Sequence, residues 1–342
     1  MNEVTVIGID LAKNMFQLHG VDARGTCILR KKIRRDHVAR FFSTLPTCLV
    51  GMEACAGSGY WARVIGSFGH TVRRMHPRFV KPYLMSNKND ANDAAAICEA
   101  VQRPRMRFVP NKTQEQADIQ AMHRVRQRLI QDRTAAINQI RGLLAENGIV
   151  LRQGARHVRT QLAMTMDDAS NDLSGAMRGQ LRLLHEKLVH LEEQIARQNV
   201  LLSSIAENND VCRRLLKVPG VGVLSATILL AVAGAAKEFK NGREFAAYLG
   251  LVPRQHSTGG KPRLLGITKQ GDGYARMLLV SGARSVLRCI RMGHTSLGAR
   301  TDWASKLMDR RGHNKTCVAL ANKTARIVWS MLRHGTEYEA AA

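Results

Sequence analysis

In the first hundred residues short apolar β-like runs alternate with helical ones, and Val4–Asp10, Gln17–Val21 and Thr26–Lys31 each read as a short strand. Val38–Ser43 then reads as a helix, and Cys48–Glu53 and His70–Met75 as further strands around a helix over Tyr60–Ser67. The period changes at Gln114. From there to Asn147 the residues Met122, Val125, Leu129, Ile137, Ile140 and Leu144 recur at helical steps and predict one long helix. Its other face carries His123, Arg124, Arg126, Arg128, Arg133 and Arg141. Leu151–Asp172 has no clean period and is expected to turn the chain back. Met177, Leu181, Leu184, Leu188, Leu191, Ile195, Leu202 and Ile205 follow heptad spacing, interrupted by Gln198 at a core position. That pattern predicts a coiled coil, against the preceding helix or between subunits; one helix of an intrachain bundle fits the periodicity equally well.

Three consecutive strands followed by βα units predict a mixed sheet covered by helices, the pattern of RNase H-like nuclease domains. From Asp210 onward short helical segments with glycine and proline punctuation predict a separate, mostly helical domain. The apolar run Val221–Ala236 is too short to span a bilayer, carries Ser225 and Thr227, and is expected to be a buried core helix.

Charge narrows the function. The chain holds 52 Lys and Arg against 27 Asp and Glu, a formal net charge of +25, which points to a polyanionic partner, nucleic acid first. An anionic membrane could also attract such a charge, but membrane-bound proteins usually show an amphipathic basic helix or an apolar span of about twenty residues, and the longest apolar stretch here falls short of one. No secretory pattern follows Met1, so a cytoplasmic location is expected. The seven cysteines are scattered without zinc spacing and are expected to be reduced, mostly buried thiols.

Phosphodiester chemistry uses hard cations such as Mg²⁺, which take oxygen ligands. Asp10 closes the apolar strand Val4–Asp10 and Glu53 closes Leu49–Glu53, so both acids emerge at strand ends. Asp90 and Asp93 stand three residues apart at the start of a helix continuing over Ala91–Ala100, which places them on one helix face. Asp90 could equally be the N-cap of that helix. Four such acids repel one another unless a metal ion fills the cluster.

A second candidate lies further on. Val218-Pro-Gly-Val-Gly222 before an apolar helix reads as a helix-hairpin-helix offering backbone N–H groups to a phosphate, or as a plain turn between helices. In Tyr248-Leu-Gly-Leu-Val-Pro-Arg-Gln-His-Ser-Thr-Gly-Gly-Lys261, the hydroxyls of Ser257 and Thr258 sit on a flexible basic loop followed by Gly266–Asp272. They can supply a nucleophile or be ordinary loop residues.

Taken together, Gly8-Ile-Asp-Leu-Ala-Lys13, Asp90-Ala-Asn-Asp93, the Pro-Gly-Val-Gly turn and Ser257-Thr-Gly-Gly-Lys261 resemble the DEDD transposases of bacterial insertion sequences, related to Piv invertases and known as bridge-RNA-guided recombinases. The resemblance covers nearly the whole chain. It implies a RuvC-like RNase H-fold catalytic domain at 1–112, a helical coiled-coil dimerisation segment at 113–207 and a C-terminal transposase domain at 208–342. It further implies Asp10, Glu53, Asp90 and Asp93 as Mg²⁺ ligands and Ser257 as the nucleophile that forms a covalent phosphoserine link, with Thr258 the alternative hydroxyl. Strand exchange through a Holliday junction, a noncoding guide RNA pairing with donor and target DNA, and a homo-oligomer from dimer to tetramer belong to the same expectation. Arg254, Lys261, Arg263, Lys269 and Arg276 are then phosphate contacts, and Arg30, Lys31, Lys32, Arg34, Arg35 and the arginines over 124–141 are candidate backbone tracks. With aromatics at 5%, guide pairing rather than stacking would choose the sequence. The alternatives are a metal-dependent junction nuclease using water and a non-catalytic architectural protein.

Overall fold

The computed structural model describes residues 3–85, 89–293 and 299–339 and divides the chain into two units, Met1–Thr113 and Gln114–Ala342. The first unit is built on strands β1 (Val6–Asp10), β2 (Met15–Val21), β3 (Cys27–Arg34), β4 (Leu49–Glu53), β5 (Thr71–Met75) and β6 (Phe108–Val109), with helices α1 (Val38–Ser43), α2 (Ser58–Ser67), α3 (Pro77–Val80) and α4 (Asp90–Val101). They form one sheet in the order β3-β2-β1-β4-β5-β6. β1, β4 and β5 run parallel, while β2, β3 and β6 pair antiparallel with their neighbours. The mixed, helix-covered sheet is the one the alternation predicts, and β6 is a short edge strand that two residues of pattern could not announce.

Strand parity sorts the side chains into two cores. Ile7, Ile9, Val50 and Met52 point to the layer containing Phe42, Trp61 and Ile65. Val6 of β1 and Met75 of β5 pack in the other layer with Ile97, Cys98 and Val101 of α4. Glycine makes the second layer possible. A Cβ on Gly8 would overlap the Ala94 carbonyl oxygen and the Cys98 amide nitrogen, and one on Gly51 would lie 2.7 Å from Val101 Cβ. We expect Gly8→Ala to destabilise the first unit by about 3 kcal/mol, since neither the α4 backbone nor β1 can yield cheaply. Gly66→Ala, with open space at the same test position, is the control and should be neutral or slightly stabilising in urea unfolding.

The second unit is mostly helical: α5 (Gln114–Ala145), α6 (Ala155–Asp167), α7 (Gly175–Asn208), α8 (Asp210–Leu216), α9 (Val223–Ala233), α10 (Gly242–Tyr248), α11 (Gly273–Arg291), α12 (Ala299–Arg311) and α13 (His313–His334), with strands β7 (Pro253–Gln255) and β8 (Leu264–Ile267). α7 packs along α5 and also against α6, α8 and α9, so within the chain it is a bundle helix. Two expectations need correction. The stretch Leu151–Asp172, expected to turn the chain back, holds a helix its pattern did not announce: α6, which buries Val158 and Leu162 against Ile140, Leu144 and Leu181. Val125, expected in the core, is half exposed.

His123, grouped with the arginine face, is buried. Thr227 Oγ1 donates to Val223 O at 2.7 Å, which leaves it to accept from His123 Nε2 at 2.9 Å. Nδ1 then accepts from the Tyr274 hydroxyl at 3.3 Å. Burial, helped by Arg126 and opposed by Asp272, pulls the imidazole down to about 4. Because the folded state binds this proton more weakly than the unfolded chain, the stability it contributes is complete above pH about 6.5 and is lost as the pH falls from there through 4. Unfolding followed between pH 7 and 4 should show up to about 3 kcal/mol of acid destabilisation that His123→Gln lacks. Equal slopes for the two proteins would refute this assignment.

The apolar run Val221–Ala236 contains α9, buried on nearly every side. In the turn before it Gly220 takes φ +85°, and a Cβ there would press on the Gly282 carbonyl oxygen at 3.1 Å, so this glycine lets α11 approach closely. All seven cysteines are free thiols, four of them buried. Among the described residues, no helix is long and apolar enough to cross a membrane.

Candidate active site

β1 and β4 are parallel neighbours in the register Ile9↔Met52, so Asp10 and Glu53 follow side by side at their C-terminal ends. Parity puts both on the α4 side of the sheet: Ile9 and Met52 belong to the opposite core, while Gly8 and Gly51 lie under α4. α4 runs antiparallel to β1. Cys98 Sγ reaches Val6 O, whereas Ala94 lies over Gly8, so the first turn of α4, with Asp90 and Asp93, faces the Asp10 end. The N-cap of this helix is Asn89, whose side chain accepts from Asn92 N at 2.8 Å, so Asp90 is not the cap.

The four acids thus share one face and one end of the sheet. Their oxygens are not drawn into a closed set: among the described residues no three His, Cys, Asp or Glu side chains are grouped to hold a metal ion. Asp90 lies instead 3.9 Å from Lys32 Nζ, both exposed. The local field is nevertheless negative. Burial pushes the Cys55 thiol up, a backbone hydrogen bond opposes it, and the charges of Glu53 and Asp10 add to the rise against the guanidinium of Arg74. In kind and in placement the carboxylates suit a hard divalent cation, which would relieve that field.

Arg74 escaped the sequence reading. It is buried at 8% exposure on β5 and donates to Asn111 Oδ1 at 2.8 Å, to Ser58 Oγ at 3.5 Å and to Pro110 O. Ser58 Oγ in turn donates to Cys55 O at 2.8 Å, so the guanidinium braces the loop leaving Glu53. The available signal was parity: Arg74 falls on the same strand face as buried Val72.

In the second unit the expected flexible loop is a β-ribbon. β7 and β8 pair antiparallel, and the connection turns at Thr258–Lys261, where Lys261 N donates to Thr258 O at 3.0 Å and Gly259 and Gly260 take φ +53° and +73°. Positive φ at both central positions is the two-residue hairpin geometry that glycine allows. Every residue from Pro253 to Gly266 is exposed. Ser257 Oγ accepts from Gln255 Nε2 at 2.9 Å and from the Arg263 backbone N–H at 3.1 Å. Two donors on one hydroxyl oxygen stabilise the alkoxide that a nucleophile must become. Arg254, Lys261 and Arg263 are exposed on this ribbon, and Lys269 is exposed beyond it.

Arg276 differs from them. It donates to Leu249 O at 2.9 Å and Gln270 O at 2.6 Å, and burial pulls its guanidinium below the ordinary range. It therefore fastens the base of the ribbon, where a Cβ on Gly271 would overlap the Tyr248 carbonyl and one on Gly250 would lie 2.5 Å from Gln270 N. Asp272 caps α11 through Tyr274 N and Ala275 N.

Residues 7–148 match the DEDD transposase family of IS110 type, described as Transposase, and residues 212–296 match the family described as Transposase IS116/IS110/IS902. The chain is 48% identical over 333 residues to a probable family 20 transposase of Pseudomonas aeruginosa, covering 97% of this chain and 98% of the relative. It is 40% identical to the transposase for insertion sequence element IS1111A of Coxiella burnetii, over 100% of this chain and 93% of the relative. The chain belongs to the IS110 family of transposases. The transposase for IS1328 of Yersinia enterocolitica, 40% identical over 99% of each chain, extends the same relationship. This transposase is accordingly a DNA-acting enzyme of an insertion sequence, and the acids at 10, 53, 90 and 93 lie within its DEDD segment.

Proposed function

We propose that this transposase is an RNA-guided recombinase that cuts DNA with Ser257. The observation that carries the reading is the Ser257 hydroxyl, exposed on a basic ribbon and accepting two N–H hydrogen bonds. Ser257 Oγ forms the bond to the scissile phosphorus as the deoxyribose oxygen departs. The serine proton passes to a base or water, and the leaving oxygen is protonated in turn. A strand hydroxyl later attacks the phosphoserine, restoring the serine and completing strand exchange through a Holliday junction.

We read the first unit as an RNase H-like, RuvC-like domain, a reading supported by its strand order. Asp10, Glu53, Asp90 and Asp93 would hold Mg²⁺, which neutralises charge on the phosphate. Arg254, Lys261, Arg263 and Lys269 contact phosphates, and Arg276 positions the ribbon beneath them. The exposed basic residues of edge strand β3, Arg30, Lys31, Lys32 and Arg34, and Arg35 beyond it, serve as a backbone track.

Functionally we assign 1–112 to metal-assisted chemistry, 113–207 to dimerisation and 208–342 to strand transfer. Leu183 and Leu201, exposed and about five turns apart on α7, offer apolar surface to a second copy, and we read dimer or tetramer assembly through this face. Such an enzyme would work in the bacterial cytoplasm on donor and target DNA with an element-encoded RNA.

The test is direct. The protein is purified with its co-expressed RNA and mixed with duplexes carrying the joined ends of its element and a target matched to that RNA. Denaturing electrophoresis should show a protein–DNA adduct stable to heat and detergent, its link at Ser257 by peptide mapping. Cleavage without any adduct would overturn the proposal.

A further inference from the structure

We infer that Leu264 is a wedge that enters duplex DNA at the cut and unstacks the base step beside the phosphodiester Ser257 attacks. The inference rests on the assignment of Ser257 as nucleophile and adds how the ribbon presents DNA to it.

Leu264 is 63% exposed and Leu265 40%, on a ribbon whose residues from Pro253 to Gly266 are all solvent-facing. Register decides which leucine matters. Leu264 stands directly opposite Gln255, and opposed residues of an antiparallel pair project from the same face. Gln255 and Ser257 are two positions apart and joined by the 2.9 Å hydrogen bond, so hydroxyl, amide and Leu264 share one face of the ribbon. Adjacent Leu265 falls on the other.

The surroundings specify the occupant. Arg254, Lys261 and Arg263 are exposed on the same narrow ribbon, Arg254 and Arg263 by parity on the face opposite Leu264, and the sequence from Val252 to Thr268 contains no acid. A protruding aliphatic side chain on one face of a ribbon that carries cations and no acid fits a polyanion with an apolar stacked interior. A two-stranded ribbon is narrow enough for a DNA groove, and leucine is among the side chains that part base steps and kink the duplex. Kinking at the cut exposes the phosphodiester and aligns it with the hydroxyl on the same ribbon face.

The test uses the full chain with its co-purified RNA and a duplex carrying the joined element ends, with 2-aminopurine placed in turn at each position flanking the cut. Ser257→Ala serves as the parent, so that chemistry does not confound the signal. Fluorescence should rise at one step next to the cut. Adding Leu264→Ala should abolish that rise while leaving DNA affinity, by anisotropy, within about threefold. Leu264→Phe should preserve the rise, as should Leu265→Ala. No rise in the parent, or an undiminished rise with Leu264→Ala, overturns the wedge. So does loss of RNA retention or of oligomer mass in Leu264→Ala, which would assign the leucine to RNA or to a second copy. Cleavage surviving in Ser257→Ala would instead overturn the nucleophile, and the fluorescence result would still decide the wedge.

Discussion

Ser257→Ala is expected to abolish strand cleavage and the covalent adduct together, a loss of at least about 10³-fold, because removing an attacking nucleophile eliminates the route itself. The hairpin should survive. Its backbone pairing, His256 N to Arg263 O at 2.9 Å and Lys261 N to Thr258 O at 3.0 Å, makes no use of the hydroxyl. DNA affinity and thermal midpoint should therefore stay near those of the parent, separating loss of chemistry from loss of structure. Thr258→Val should retain cleavage, because Thr258 supports the ribbon through its backbone. Retained cleavage without an adduct in Ser257→Ala would favour water as nucleophile, and loss in Thr258→Val alone would move the role by one residue.

Gln255 offers a finer version of the same argument. Its amide is one of two donors to the Ser257 oxygen, the other being the Arg263 main-chain N–H, which only proline at that position would remove. The serine is thus held by one side chain and one backbone group, an arrangement that depends on the ribbon having formed.

How much of this was legible in the sequence depends on how each feature is encoded. The sheet of the first unit was readable because its central strands, buried on both faces, stand out as short apolar runs, Val6–Ile9 in β1 and Leu49–Met52 in β4. The site followed from it, since Asp10 and Glu53 fall on the α4 face by counting from those residues. Whether their oxygens converge was not readable, because that depends on rotamers and on the helix carrying Asp93. The ribbon escaped for the opposite reason: with every residue from Pro253 to Gly266 exposed, no buried face imposes an alternation. α6 escaped because its core side is confined to Val158 and Leu162, with only partial burial around them. His123 looked like one more polar member of a basic face, since its partners Thr227 and Tyr274 lie more than a hundred residues away.

The acids make the last and most exacting prediction. Asp10→Asn keeps size and hydrogen-bonding capacity at the end of β1 but removes a charge, so folding should be preserved while the negative field weakens at the place where Glu53 and Asp10 act on Cys55. If these carboxylates hold a divalent ion during catalysis, cleavage should fall by about 10²-fold or more. The dependence on Mg²⁺ concentration should shift upward with it, and Asp93→Asn should behave alike. Calorimetric titration with Mn²⁺ of the protein–RNA–DNA complex provides a readout besides activity, and binding in the parent should weaken or vanish in both variants. Asp90 and Lys32 discriminate further. Because Asp90 lies 3.9 Å from Lys32 Nζ, Lys32→Ala, assayed at saturating RNA and DNA since Lys32 also belongs to the basic track of β3, should lower the Mg²⁺ needed, whereas a merely structural ion pair would leave that requirement unchanged. Full activity in Asp10→Asn at unchanged Mg²⁺ would remove the first unit from the chemistry and leave its acids as ordinary strand-end residues.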